Sequence, residues 1–168
     1  MKLILQNNRI VGTATDDYTG PDSWAQAPEG YSPAIAYVVQ GDVVSLPPAP
    51  TLDQLKAAKN DQINLWRAQA NQTNFPHAGK VIACDALSRS DIDGVAGSIA
   101  LNGDFPANFP GAWKAVDNTY VMLPDVAAFK ALYASMTAQG TANFANSQAR
   151  KETLAAALTA QGVADIVW

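Results

Sequence analysis

The run Pro47-Pro48-Ala49-Pro50 constrains this chain more than any other feature of its sequence. Proline lacks the backbone N–H that a sheet ladder or a helix interior needs, and it holds the chain near polyproline II geometry. No regular element can run through the segment. The sequence therefore divides into a module over residues 1–46, a linker over 47–50, and a longer portion from 51 onward.

The first portion reads as short strands. Lys2 to Gln6 and Arg9 to Ala14 are aliphatic or β-branched runs separated by Asn7-Asn8, a pair that tolerates positive φ and predicts a tight hairpin. Ala34 to Gln40 and Val43 to Leu46 flank Gly41-Asp42 and predict a second hairpin. Between them, Asp16 to Asp22 and Pro28 to Pro33 are turn-rich stretches in which Gly and Pro punctuate rather than propagate regular structure, with Trp24 and Tyr31 folding the segment back. The module is expected to be a small antiparallel sheet.

Beyond the linker, Thr51 with Gln54 three residues on is a capping-box pattern, and Asp53 suits the positive end of a helix dipole. A connecting helix is expected from Leu52 to about Thr73, within a segment over 51–74. Its apolar stripe of Leu52, Leu55, Ala58, Ile63, Trp66 and Ala70 is interrupted by Lys59 to Gln62, which suits docking or self-association better than deep burial.

Residues 75–168 read as a separate α+β domain with short strands and three helices. Lys80 to Cys84 predicts a strand. Ser88 or Ser90 can cap a helix that carries Ile92, Val95, Ala96, Ile99 and Ala100 and ends at Asn102-Gly103. Ala112 to Val116 and Thr119 to Leu123 flank Asp117-Asn118 as another hairpin. Pro124 stands at a first-turn position of a helix expected to stop near Gln139-Gly140. A last helix is expected over 142–160, before an apolar tail from Val163 to Trp168. There is no internal repeat.

Charge narrows the functional classes. Only 15% of residues are charged and the net charge is -4, so Asn, Gln, Ser and Thr cover a weakly self-repelling surface that tolerates neighbouring subunits. The basic residues are scattered, which argues against a nucleic-acid partner. One cysteine, Cys84, precludes an internal disulfide and fits a reducing compartment. The apolar start at Met1 breaks at Gln6-Asn7-Asn8-Arg9, too soon for a secretory signal, so the mature protein is expected to begin at Met1. No window is apolar enough for a membrane span.

Catalytic patterns are thin. His77, the single histidine, could pair with Cys84 as base and nucleophile, but no orienting third residue follows from the sequence, and a loop histidine beside a core cysteine is the plainer reading. Asp91-Ile92-Asp93-Gly94 resembles a fragment of a calcium loop, yet the twelfth position is Asn102 where such a loop needs Glu. Asp16-Asp17, or Asp85 with Asp91 and Asp93, could supply paired carboxylates for glycoside chemistry, without recognisable aromatic partners. No catalytic residue, metal ligand or cofactor is assigned. The four tryptophans lie in separate segments. Trp66 and Trp168, with Leu52 and Leu55, are the candidate protein-binding residues. Trp113 is expected to close its own small core.

The segments Gly79 to Asp85, Ser88-Arg89-Ser90-Asp91-Ile92 and Trp113-Lys114-Ala115-Val116-Asp117-Asn118, followed by Leu123 and a helix, resemble an uncharacterised C-terminal domain family of tailed-phage tail and tail-fibre assembly proteins. Trp66-Arg67-Ala68-Gln69-Ala70 stands where that family carries the end of a helix, and the resemblance covers roughly residues 51 to 168. Pro124, where a capping Thr or Ser is common, and the Pro-rich stretch from Asn102 to Gly111 depart from the pattern. The resemblance implies structural roles for Arg89, Trp113, Asp117 and Asn118. It further implies a non-enzymatic phage tail protein, associated with a fibre or baseplate and acting through protein contacts. Such a protein would reside in the virion tail after assembly in the host bacterial cytoplasm, as a possible trimer or dimer. The alternatives are a tail-fibre assembly chaperone absent from the particle and a small cell-wall-polymer hydrolase using His77 and Asp85.

Overall fold

The computed structural model describes residues 1–168 apart from Asp42 and Pro47. The chain is α+β and separates into two compact units, Met1–Pro50 and Thr51–Trp168.

In the first unit, strands β1 (Lys2–Gln6) and β2 (Arg9–Ala14) form the expected hairpin, with Asn7 and Asn8 both left-handed at φ 51° and 57°. Leu3 and Leu5 alternate inward, as the period of two requires, and form a small core with Ala25 and Val44. Opposite them the register jumps from Ile4–Gly12 to Leu5–Ile10, which leaves Val11 as an exposed bulge.

Two expectations need correction here. Between the two turn-rich stretches lies an unexpected strand, β3 (Ser23–Gln26), which pairs with β1 to give the order β2-β1-β3. Its local composition hides it, because the strand is held by pairing with β1 and by Trp24, whose ring lies 3.9 Å from the Lys2 ammonium. Conversely, Ala34 to Tyr37 is not extended. The Ile35 N–H donates to the Ser32 carbonyl, and the Tyr37 hydroxyl accepts from the Ser32 N–H, so the pair β4 (Val38–Gln40) and β5 (Val43–Ser45) is shorter than predicted. The turn placed at Gly41-Asp42 and the start of the linker at Pro47 lie partly outside the described residues.

The second unit opens with α1 (Leu52–Ala70). Its capping box is complete: Gln54 N–H donates to Thr51 Oγ1 at 3.2 Å, and Thr51 N–H donates to Gln54 Oε1 at 2.9 Å. The helix ends at Ala70 rather than Thr73, and it is an integral part of its unit rather than a connector. Ile63 is fully buried with Leu154, Val163 and Ile166, and Leu52, Leu55 and Trp66 pack on that cluster. Lys56 and Lys59 donate to the carbonyls of Ala155 and Ile166 at 2.9 and 3.1 Å. The apolar tail thus covers part of the stripe, burying Ile63 fully and leaving Leu52, Leu55 and Trp66 half-buried and Ala58 exposed.

Next comes a hairpin of β6 (Phe75–His77) and β7 (Lys80–Ile82), turned by Ala78 and Gly79 at φ 48° and 73°. The first of these strands falls where the sequence suggested only a loop, since Pro76 hides it; Phe75 is nevertheless fully buried. Helix α2 (Ala86–Asn102) is capped by Asp85, whose Oδ1 accepts from the N–H groups of Leu87 and Ser88 at 3.0 Å each, and not by Ser88 or Ser90. It ends, as expected, on left-handed Gly103. Strands β8 (Ala112–Lys114) and β9 (Tyr120–Met122) form the hairpin expected around Asp117-Asn118.

The largest correction concerns α3. Asp125, not Pro124, begins it, accepting from Ala128 N–H at 2.8 Å, and the helix runs unbroken from Val126 to Ala156 through Gly140. A mid-helix Gly costs about 1 kcal/mol relative to Ala. Packing of Phe129, Leu132 and Met136 on one side of it, and of Leu154 on the other, outweighs that. The remaining helix is the short α4 (Ala160–Ala164), capped by Thr159. Among the described residues no helix is long and apolar enough to cross a membrane.

Candidate functional site

The main core of the second unit gathers Phe75, Ile82, Ile92, Leu123, Phe129, Leu132 and Met136. Over it the loop from Asp104 to Gly111 folds back by placing Phe105 and Phe109, stacked at 4.3 Å, edge-on to Phe129 at 6.1 and 6.5 Å. Trp113 reaches the same ring from β8 at 6.4 Å. Because β8 is a strand, Trp113 and its partner Val121 face the core while Lys114 and Tyr120 face outward.

The result is an open groove of about 950 Å³. Ser88, Ser90 and Asp91 of α2 contribute to its lining, as do Pro106, Phe109 and Pro110 of the folded loop and Trp113, Lys114, Val116, Asn118 and Tyr120 of the hairpin. Tyr120 is 58% exposed and Met122, two residues on, 68%. The hairpin is fixed locally. Asn118 turns at φ 64°, and Asp117 Oδ1 accepts from the Thr119 N–H at 2.9 Å and from its hydroxyl at 2.6 Å. Those Thr119 bonds, with Lys80 nearby, hold the Asp117 carboxyl below the usual range. The Val116 N–H donates to the Val81 carbonyl at 2.9 Å, tying this hairpin to the preceding one.

The two segments Ser88 to Ile92 and Trp113 to Asn118, far apart in sequence, thus meet across one groove. Trp113 does help to close a core, and it lines the groove as well. Arg89 serves elsewhere. Its Nη1 donates to the Asn71 carbonyl at 3.3 Å and lies 3.9 Å from Cys84 Sγ, while Nε stands 4.0 Å from Asp93, so it ties α2 to the end of α1. Leu52, Leu55, Trp66 and Trp168 come together at the other end of the unit, with the two indoles 6.5 Å apart. Each is half-buried.

The residues weighed for chemistry are dispersed. His77 Nδ1 is hydrogen-bonded to Ser135 Oγ at 2.9 Å, whereas buried Cys84 directs its sulfur at the Asn71 carbonyl, 3.5 Å away. Asp85 is the cap of α2, and its bonds to the Ser88 N–H and hydroxyl hold its carboxyl below the usual range. Asp91, Asp93 and Gly94 are helical rather than part of a coordinating loop, and Asp16 and Asp17 belong to the other unit. Among the described residues no three His, Cys, Asp or Glu side chains converge as a metal ion would require.

Sequence reasoning missed Tyr120, Phe109, Pro106 and Asn74 as groove residues. The repeated dipeptides Phe105-Pro106 and Phe109-Pro110 were the available signal, since each sets a ring beside a residue that ends regular structure. The groove can hold an extended ligand between an aromatic floor and rims that offer hydroxyl, amide, carboxylate and ammonium groups.

The family model described as "Domain of unknown function (DUF4376)" matches residues 54–167. No curated protein matches the chain, and no solved structure does.

Proposed function

The chain belongs to the DUF4376 family, and on that premise we propose that it is a structural protein of a phage tail, associated with a fibre or baseplate and acting through protein contacts. One observation carries the reading: two of the segments through which the sequence resembles phage tail proteins, Ser88 to Ile92 and Trp113 to Asn118, line a single open groove of the second unit. A charge-poor surface supports it, because subunits with little net repulsion pack against neighbours at small electrostatic cost. The partner is a tail-fibre or baseplate protein, and the destination is the virion tail after assembly in the bacterial cytoplasm.

The hydrolase alternative loses ground, because His77 and Asp85 are occupied, one by Ser135 and the other by the cap of α2. The assembly-chaperone alternative draws on the same groove and differs in where the protein ends up. Mass spectrometry of purified particles from a phage carrying this gene tests the proposal. The expected result is the chain in fixed stoichiometry with tail proteins. Its absence from particles, with the gene still needed for fibre formation, would replace the structural reading by the chaperone one.

A further inference from the structure

We propose that the groove receives the Pro-rich linker of a second copy of this chain. The inference rests on reading the groove as a protein-binding surface, though not on the phage context. It starts from the chemistry that a polyproline II segment demands. Such a segment has no internal hydrogen bonds and few N–H groups, so it cannot add to a sheet edge; it is bound by flat aromatic walls that take proline rings and by side-chain donors that reach its carbonyls. The groove offers both kinds of group: Trp113 and Phe109 as aromatic walls with the exposed Tyr120 at its rim, and Asn118 and Ser90 among the donors.

The occupant is present in the same chain. Pro47 and Pro50 are the one pair of prolines three positions apart in the sequence, the repeat of a three-residue turn of polyproline II. Leu46 is 59% exposed, and Pro48, Ala49 and Pro50 are exposed too, so an apolar segment stands bare. Charge fits as well. The groove lining carries one carboxylate, Asp91, and one ammonium, Lys114, which cancel. Val43 to Leu52 carries no charged side chain, so docking it strands no charge. A linker from one copy in the groove of the next is a head-to-tail contact, which closes into a ring or, if exchanged both ways, a two-fold dimer.

Sedimentation of the full-length chain over a range of concentrations tests this, with two variants at exposed positions: Pro48→Ser with Pro50→Ser in the linker, and Tyr120→Ala in the groove. The wild type should associate, each variant should weaken association about tenfold, and an equal mixture of the two should recover part of it, since one supplies an intact linker and the other an intact groove. A synthetic peptide of residues 43–52 should dissolve the wild-type associate. A wild type that stays monomeric to about 1 mM, or association indifferent to both variants, overturns the proposal. So does a linker effect on the groove that does not depend on concentration, which would place the segment in its own chain's groove. The outcome is separable from the tail reading: a chain that self-associates yet is missing from particles defeats only the latter, and a monomer found in particles defeats only the present inference.

Discussion

The two ends of the second unit treat their apolar side chains in opposite ways. At the helical end, Leu52, Leu55, Ile63 and Trp66 of α1 meet Leu154, Val163, Ile166 and Trp168, and the stripe is partly covered from within, with Ile63 fully buried and Leu52, Leu55 and Trp66 half-buried. At the hairpin end, Trp113 and Phe109 line a groove, and Tyr120 and Met122 stand largely in water. Read as sequence, the two separate the other way, with the thin α1 stripe free to dock and Trp113 closing a small core of its own. The difference is whether the chain brings its own matching face. The C-terminal tail does so in part for α1; no described element of the second unit does so for the groove. An exposed apolar surface is informative when it is contiguous and bordered by polar groups; the hairpin end carries the larger such groove, and the helical end a smaller one lined by Leu55, Ala58 and Leu65.

The contrast makes the two ends respond differently to substitution. Ile63→Ala should have the largest effect, lowering unfolding stability of the second unit by about 3 kcal/mol through lost burial and a residual cavity, as measured by denaturant titration. Trp168→Ala follows at about 1.5 kcal/mol, because its indole is only half covered, and it should leave association unchanged. A loss of association with intact stability would move the contact surface to the helical end. Thr51→Ala should cost about 1 kcal/mol by removing one half of the α1 capping box, visible in the same titration.

Acid should separate the ends as well. Asp85 and Asp117, both at the hairpin end, have carboxyls held below their ordinary value of 3.8 by hydrogen bonds from Ser88 and Thr119. A depressed folded pKa contributes stability that is fully present above the unfolded value and is lost as pH falls through the folded one. Protection factors for the Ser88 and Thr119 amides should therefore drop below pH 3.8, before those of α1 residues around Ile63. Uniform loss across the unit would remove the distinction. Smallest of all is Tyr120→Ala, expected to change stability by less than about 0.5 kcal/mol while weakening association.

The sequence made some of this legible and hid the rest for identifiable reasons. Local devices could be read directly: Asn7-Asn8 at the first turn, the Thr51 and Gln54 box, Gly103 at the end of α2, and Asp117-Asn118 between β8 and β9 all stand where their backbone preferences put them. Elements decided by distant contacts could not. Strand β3 exists because β1 pairs with it, β6 tolerates Pro76 because Phe75 is buried, and α3 runs through Gly140 because both flanks are packed. Asp85 and Asp125 were passed over as caps in favour of nearby Ser and Pro residues that suit helix starts equally well. The site suffered in the same manner. Trp66 and Trp168 stood out because tryptophan is enriched at binding surfaces, and they lie half-buried beside each other, whereas Phe109 gains its place only once the loop from Asp104 folds back on Phe129.

The most direct test of the central claim, that the hairpin end is open to another polypeptide and the helical end is not, lies in the four indole N–H signals of the intact chain, one for each tryptophan. Followed by nuclear magnetic resonance as concentration rises, the Trp113 signal should move while those of Trp66 and Trp168 hold still. Movement of Trp66 and Trp168 with a stationary Trp113 would contradict the account.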